Sequence, residues 1–549
     1  MGPRLKNLMY AAWLAAIVIL AVLHGLNLRA DFPNHTAWYG DWAKYTDEGW
    51  YSNAAIRAHL LGHWYLKGDF NPAAALPVWP FLEWILFFFT GVSLQAARGL
   101  AVAGFFLSLL LSYWLLRTSG SRPMALLALT FVVTSPFLYC FSRLATLEPF
   151  LAVFTLAALN LAVRLPRLRR PLWSAFAVGV LFTVMMLTKT YAVFLLPALV
   201  WAMAWPLRGR RKLAVQSLLV AGATFTAGYG LWLVLIVSRG LLADYKLLFS
   251  INYYHRPSEF YWPVVAFWWS IHGGMWADQV LLPLAGIIVL AAFGSAVISR
   301  FAPRGAVTQS MAAFSRCLLL DPVFGASVVA CAGMIFFMTY QNHPQPRYFT
   351  VIAVFCFFMV AQGAAALFQQ ASSSTGTLRE LLGGAGVAVV AVSLVAVAAN
   401  TAQTLTYVTH PEYTFVNAAN HLTQYIDVHP NGRRLLLSIS GDQIMMATRL
   451  PAICDDYGTM PLAVKLGEYQ PGWYAAWNDL DPESLEDLHT RYSLEQVAAW
   501  PAFDNSPDRD LLVLFKLHPL PGGKVRNEIN EDLRIKLPED KFDVDIDTP

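Results

Sequence analysis

Residues 164–212 read RLPRLRRPLWSAFAVGVLFTVMMLTKTYAVFLLPALVWAMAWPLRGRRK. Two charge-free apolar runs, 171–188 and 190–207, meet at one lysine, Lys189, and arginine clusters close the far end of each. Each run has the length that crosses a hydrocarbon core of about 30 Å. The clusters on both sides mark the far ends as cytoplasmic by the positive-inside rule, so Lys189 sits at the turn on the opposite face. The same reading extends outward over the first 400 residues. Apolar stretches suited to spanning lie at 8–26, 99–116, 123–142, 149–163, 171–188, 190–207, 213–237, 279–299, 322–342, 348–368 and 381–400. Every second gap is basic: Arg4 and Lys6; Arg117 and Arg122; Arg164, Arg167, Arg169 and Arg170; Arg208, Arg210, Arg211 and Lys212; Arg300, Arg304 and Arg316; Arg379. The remaining gaps are expected to face outward. They hold Asp47-Glu48, Arg143 with Glu148, Lys189, His255-Arg256 and Arg347. Ionisable groups from five loops on one face are the pattern of an extracytoplasmic active site.

Composition supports this. The 549 residues are 57% hydrophobic and 13% charged, values that exclude an ordinary soluble protein. The net charge of +4 conceals a division: residues 1–400 carry 27 basic and 12 acidic groups, residues 401–549 carry 12 and 23. The expected organisation is therefore a polytopic α-helical membrane domain (1–400, first outer loop 27–98), an extracytoplasmic α/β domain (401–520) and a polar tail (521–549). The charge balance does not point to nucleic acid. Cys454 is the one cysteine after residue 400, so the exported domain has no internal disulfide.

The first outer loop is predicted to be helical from Tyr51, with Ala54, Ala55, Ala58, Leu61 and Tyr65 near i, i+3, i+4 spacing. The following LPVWPFLEWILFFFTGVSL (76–94) is apolar but holds Pro77, Pro80 and Glu83. Counting it as a span would turn the 164–170 arginine cluster outward, so it is read as re-entrant or juxtamembrane. In the C-terminal part, residues 415–440 read as helix, Asn-Gly turn and strand. SLEDLHTRY (484–492) and SLEQVAAW (493–500) read as short helices, and DRDLLVLFKL (508–517) as a strand.

Each candidate residue has a plain alternative. Asp47 and Glu48 precede a helix, where carboxylates are favoured by the dipole, yet an acidic pair on an aromatic outer loop also suits a general base. Glu148 before Pro149 is a natural helix start, but an acid at the lip of a span is costly unless used. Lys189 reads as a snorkelling cation or a phosphate ligand. Arg347 opens a span on the side where topology gives it no task, and its guanidinium suits phosphate. His255 and Arg256 lie in an aromatic belt. His59 and His63, at i, i+4, are a weak metal signal.

Taken in order, these segments resemble the GT-C glycosyltransferases, in particular the protein O-mannosyltransferase and lipid A aminoarabinose transferase group, glycosyltransferase families 39 and 83. TDEGWYSNAA (46–55) is similar to the group's D-E-x-x-Y-like loop. LEPF (147–150) resembles its acid-Pro element, LTKT (187–190) its L-T-K-G, YYHRPSEFYW (253–262) its His with Arg and aromatics, and QPRYF (345–349) its P-R-Y or P-T-Y start of a late span. The stretch AALPVWPF (74–81) lacks the Glu and Lys of the aminoarabinose branch. That removes a phosphate ligand and a carboxylate associated there with metal. The reading therefore commits to no cofactor and leaves room for a divalent metal.

The resemblance implies an inverting transferase that moves a hexosyl or pentosyl group from a polyprenyl-phosphate donor to a protein or envelope lipid or glycan. The expected setting is a bacterial inner or plasma membrane. Asp47, Glu48 and Glu148 would be the catalytic acids, and Arg143, Lys189, His255, Arg256 and Arg347 the substrate-binding groups. The rival reading is a transporter or flippase for an anionic glycolipid, which needs no base at Asp47. A non-catalytic envelope assembly protein is the third.

Overall fold

The structure is a computed structural model that describes residues 3–38, 41–251, 263–303, 305–341, 345–455, 457–478, 482–503 and 509–521. The chain forms two units. One comprises residues 1–28, 72–82 and 97–411; the other comprises 29–71, 83–96 and 412–549.

Ten helices of the described residues are long and apolar enough to cross a membrane, and they coincide with ten of the eleven expected stretches. The eleventh, 123–142, is two helices, Arg122–Thr134 and Pro136–Phe141. The break follows from Ser135-Pro136. A residue before proline avoids the α region, and Ser135 adopts ψ 116°. Its hydroxyl then accepts from the Leu138 amide at 3.2 Å and caps the second helix. The segment after the first loop is the helix Val78–Thr90, 13 residues long and outside the set of ten. At about 1.5 Å per residue it reaches less than 20 Å, which fits the non-spanning reading.

At the centre of the first unit stands the helix Phe349–Ser373, whose residues from Phe349 to Ala364 are all buried. Helices Arg122–Thr134, Leu281–Phe301, Pro322–Gln341 and Gly376–Thr409 pack around it. With lipid as solvent, close backbone approach replaces hydrophobic drive. Gly333 shows this: a Cβ there would lie 2.0 Å from the Phe194 carbonyl oxygen. That contact presses helix Pro322–Gln341 against the 3-10 turn Thr190–Leu195, the segment that follows Lys189.

The second unit contains a five-stranded sheet. Its strands are β1 (Arg433–Leu437), β2 (Ala452–Ile453), β3 (Pro471–Trp477), β4 (Tyr492–Pro501) and β5 (Leu511–Pro519), in the order β2-β1-β3-β5-β4. Strand β1 runs parallel to β2 and β3, while β5 is antiparallel to β3 and β4. Helices Thr414–Val428 and Pro482–His489 and strands β1 and β5 lie where the sequence pattern put them. Residues 493–500 do not. They belong to β4, not to a helix, because the buried β5 supplies a complete partner from Leu511 to Pro519. An isolated S-L-E-Q-V-A-A-W pattern does not disclose that partner.

The domain boundary also moves. Residues 401–409 continue the long helix Gly376–Thr409, and most of the first loop belongs with the C-terminal region. The polar tail expected from 521 lies almost entirely outside the described residues.

The join between loop and C-terminal region is intimate. The first-loop helix, Asp47–Leu60, packs on helix Gly441–Thr448 so tightly that a Cβ on Gly49 would meet the Gln443 amide nitrogen at 2.1 Å. The obstacle is backbone and cannot rotate away. Gly49→Ala is therefore expected to destabilise this unit by about 1–3 kcal/mol, the usual range for overpacking, and Gly49→Val by more. Thermal unfolding followed by tryptophan fluorescence checks this, since Trp50 donates to the Ile439 carbonyl at 2.9 Å. An unshifted midpoint in both variants would show that the two helices can separate freely.

Candidate active site

In the first unit three expected residues are brought together. Helix Pro171–Thr188 ends at Lys189, whose backbone is extended (φ −153°, ψ 129°) while its amide still bonds Met185 O at 2.9 Å. This turns the side chain out of the helix register. Lys189 Nζ lies 3.3 Å from Glu148 Oε1, and both side chains are more than nine-tenths buried. Glu148 opens helix Glu148–Arg164 with Pro149 in its first turn, so the carboxylate also sits at the positive end of that helix. Thr146 adds a side-chain hydrogen bond. Arg347, buried in the turn Pro346–Tyr348, acts electrostatically on Glu148 together with Lys189. Two cations thus converge on one carboxylate, 41 and 199 residues away in sequence.

Aromatic rings close this cluster. Tyr191 and Tyr348 meet edge to face at 5.4 Å, and Phe337 packs on both. Lys189 Nζ lies 5.8 Å from the Tyr191 ring centre and the Arg347 guanidinium 5.3 Å from that of Tyr348. A phosphate here would be held by cations in a water-poor setting, where charge interactions are strong.

Arg143 has a different placement. Its guanidinium donates to the Tyr139 hydroxyl, to the Leu26 carbonyl at 2.7 Å and to the Asn27 carbonyl. These bonds tie Arg143 to the chain leaving the first span. His255 and Arg256 lie outside the described residues.

In the second unit, Asp47 and Glu48 occupy the first turn of helix Asp47–Leu60 and are both buried. Thr46, at the N-cap, makes no capping bond with its side chain; its hydroxyl lies 3.4 Å from Asp47 Oδ1. Glu48 Oε2 accepts from Gln443 Nε2 at 3.3 Å, and the same amide donates to the Lys44 carbonyl at 2.9 Å. Ser52, one turn on from Glu48, donates to Glu83 Oε1 at 2.8 Å. Burial, with Glu48 nearby, pushes the Glu83 carboxyl well above the usual carboxylate range and so favours its neutral form.

The far end of this helix is tied by a buried charge network that sequence reading missed. Arg57 Nη2 contacts Asp69 Oδ2 at 2.8 Å and Asp442 Oδ1 at 3.0 Å, all three side chains being fully buried. Lys465 Nζ reaches Asp69 Oδ1 at 3.1 Å and the carbonyls of Cys454 and Tyr457 at 2.6 and 2.7 Å. Asn53 donates to Asp442 Oδ2 at 3.1 Å. Read along the chain, Arg57, Asp69, Asp442 and Lys465 look like ordinary surface charges. Gly68 and Gly458, both with positive φ, were the available hint that the backbone makes a tight approach there. Among the described residues no group of three or more His, Cys, Asp and Glu side chains is placed to hold a metal. His59 bonds the Trp84 carbonyl at 3.0 Å.

Residues 72–232 match the family model described as dolichyl-phosphate-mannose-protein mannosyltransferase. The fold matches the crystal structure of ArnT from Cupriavidus metallidurans bound to undecaprenyl phosphate. The TM-score is 0.58 at 15% identity, covering 92% of this chain and 98% of that one. The chain has the GT-C fold. The archaeal oligosaccharyltransferase AglB from Archaeoglobus fulgidus, in complex with an inhibitory peptide and a dolichol-phosphate, shares this fold. Its TM-score is 0.50 at 11% identity, over 93% of this chain and 74% of that one. No curated protein matches the chain by sequence. The family-matched segment contains Glu148 and Lys189; Asp47 and Arg347 lie on either side of it.

Proposed function

We propose that this chain is a glycosyltransferase that takes its sugar from a polyprenyl phosphate on the face opposite the basic loops and passes it, with inversion, to a protein or an envelope lipid or glycan. The observation that carries the reading is the buried convergence of Lys189 and Arg347 on Glu148. A polyprenyl-linked phosphate must be bound at the membrane edge, and cations in an aromatic surround suit it. In the proposed step the acceptor's hydroxyl or amine attacks the anomeric carbon opposite the phosphate. The C–O bond to phosphate breaks, its electrons leave with the polyprenyl phosphate, and the acceptor proton passes to Asp47. Lys189 and Arg347 stabilise the departing phosphate, and Glu148 orients Lys189.

The test is binding and turnover in lipid nanodiscs with a polyprenyl-phosphate sugar. Charge-assisted hydrogen bonds contribute about 1.5–3 kcal/mol, so Lys189→Ala and Arg347→Ala are each expected to weaken polyprenyl-phosphate binding roughly ten- to a hundredfold. Acceptor KM should change little. Arg347→Lys should recover part of the loss, since a point charge cannot reproduce a two-pronged grip. Wild-type affinity for the lipid phosphate in both alanine variants would remove these cations from the donor site. Lipid analysis of a strain lacking the protein should reveal one accumulating polyprenyl-phosphate sugar.

A further inference from the structure

The first unit carries a second lipid-shaped feature, unrelated to the residues above. A groove of about 650 Å³ runs between helices Pro3–Leu23, Leu94–Ser119 and Arg122–Thr134. Along most of its length it is apolar, with Leu14, Val18 and Val22 exposed in it. Its polar groups gather at one end: Asn7, Tyr10, Tyr113 and Arg122. The Arg122 side chain is exposed, and its guanidinium lies 5.6 Å from the Tyr10 ring centre. Among the described residues no carboxylate pairs with it.

The groove has the dimensions of one leaflet. From Asn7 to Val22 the helix rises about 22 Å at 1.5 Å per residue. Half of a bilayer of about 40–45 Å, headgroups included, is the same distance. Its polar end is also placed. Arg164 Nη2 donates to the Trp114 carbonyl at 2.8 Å, so the end of helix Glu148–Arg164 remote from Glu148 lies beside the groove's polar rim. The Glu148–Lys189 pair is at the other end of that 17-residue helix, about 24 Å away along its axis. The groove therefore opens on the basic face and is separate from the proposed donor site.

We propose that the groove binds one anionic glycerophospholipid of the leaflet on the basic side, with its phosphate at Arg122 and an acyl chain along Val18 and Leu14. Lipid tails are as apolar as leucine, so burial alone retains no lipid. Residence requires shape and a headgroup contact. Arginine offers a phosphate two parallel hydrogen bonds, and the exposed Lys6 and Arg117 add attraction for an anionic headgroup. The lipid would also cover a helix that its own chain leaves bare: only 11% of the apolar window in Arg4–Leu23 is buried.

The experiment is native mass spectrometry of the full chain, released from detergent and titrated with phosphatidylglycerol or with phosphatidylcholine of the same acyl chains. One phosphatidylglycerol should be retained per chain, with a preference of about tenfold over phosphatidylcholine, the scale of one charge-assisted contact. Val18→Trp, which fills the groove, should lose that adduct. Arg122→Gln should bring the two lipids close to parity, and Arg211→Gln, an exposed basic residue away from the groove, should leave the preference intact. The exposed Arg122 position keeps the test sound if Val18→Trp folds poorly. Equal binding of the two lipids by the wild-type chain, or an unchanged preference in Arg122→Gln, would overturn the proposal. Cross-linking of the first helices of two copies in competition with lipid would also overturn it, in favour of a dimer face.

Discussion

Asp47→Asn is expected to abolish sugar transfer, with a loss of about a hundredfold or more, while the protein remains folded and inserted. The size follows from typical general-base contributions of about 10²–10⁴. The fold should survive because the change is nearly isosteric and the position lies in the first turn of helix Asp47–Leu60. There the helix dipole favours a carboxylate by about 0.3–1 kcal/mol, a small part of the fold's stability. Activity and stability are thus expected to separate, and measuring both on one preparation decides between base and helix-start carboxylate. Glu48→Gln provides the comparison. Glu48 is held by Gln443 at 3.3 Å, so its replacement should act more through the position of the helix than through proton transfer. Wild-type turnover in Asp47→Asn with a slightly lowered melting point would assign Asp47 to the helix start and remove it from the reaction.

The second large effect is expected at Arg57, far from any reacting atom. Replacing Arg57 with methionine leaves Asp69 and Asp442 buried beside one lysine instead of sharing two cations. Breaking a buried ion network by removing one partner costs about 3–5 kcal/mol, because the remaining charges lose their compensation and stay out of water. Burial already raises the Asp442 carboxyl, against the opposing pull of Arg57, so losing Arg57 drives Asp442 further towards the neutral form. Arg57→Met is expected to lower the melting point of the second unit strongly and to abolish transfer with it, since the helix that carries Asp47 is fixed by this network. Protease resistance of the first loop and of the sheet should fall together. A chain ended at residue 411 should show the same loss in the first loop, because Ser440, Gln443 and Ile439 no longer meet Tyr45, Lys44 and Trp50. A truncated chain with a protected first loop, or Arg57→Met with native melting and turnover, would refute this coupling.

The coupling changes the role expected for the C-terminal region. Sequence composition suggested a separate α/β domain beginning at residue 401. The structure makes that region part of the framework that sets the Asp47–Glu48 helix, from the Asp31 carboxylate that caps helix Thr414–Val428 at 2.7 Å to the Arg57 network at the other end.

Local chemistry was sufficient for the helices. Spans such as 171–188 and 190–207 are legible because lipid forces each segment to satisfy its own backbone, so length and apolarity alone identify it. Lys189, Glu148 and Arg347 stood out for a related reason: each is a charge beside hydrocarbon, where chance charges are expensive. What the sequence could not disclose depends on partners far along the chain. The break at Ser135-Pro136 is local, but hydropathy over residues 123–142 does not register it. Strand β4 required β5, and the burial of Arg57, Asp69, Asp442 and Lys465 required packing between residues up to 396 positions apart. Charges in a water-exposed segment look alike whether solvated or buried, and only the tertiary structure decides, by supplying the counter-charge that makes burial affordable.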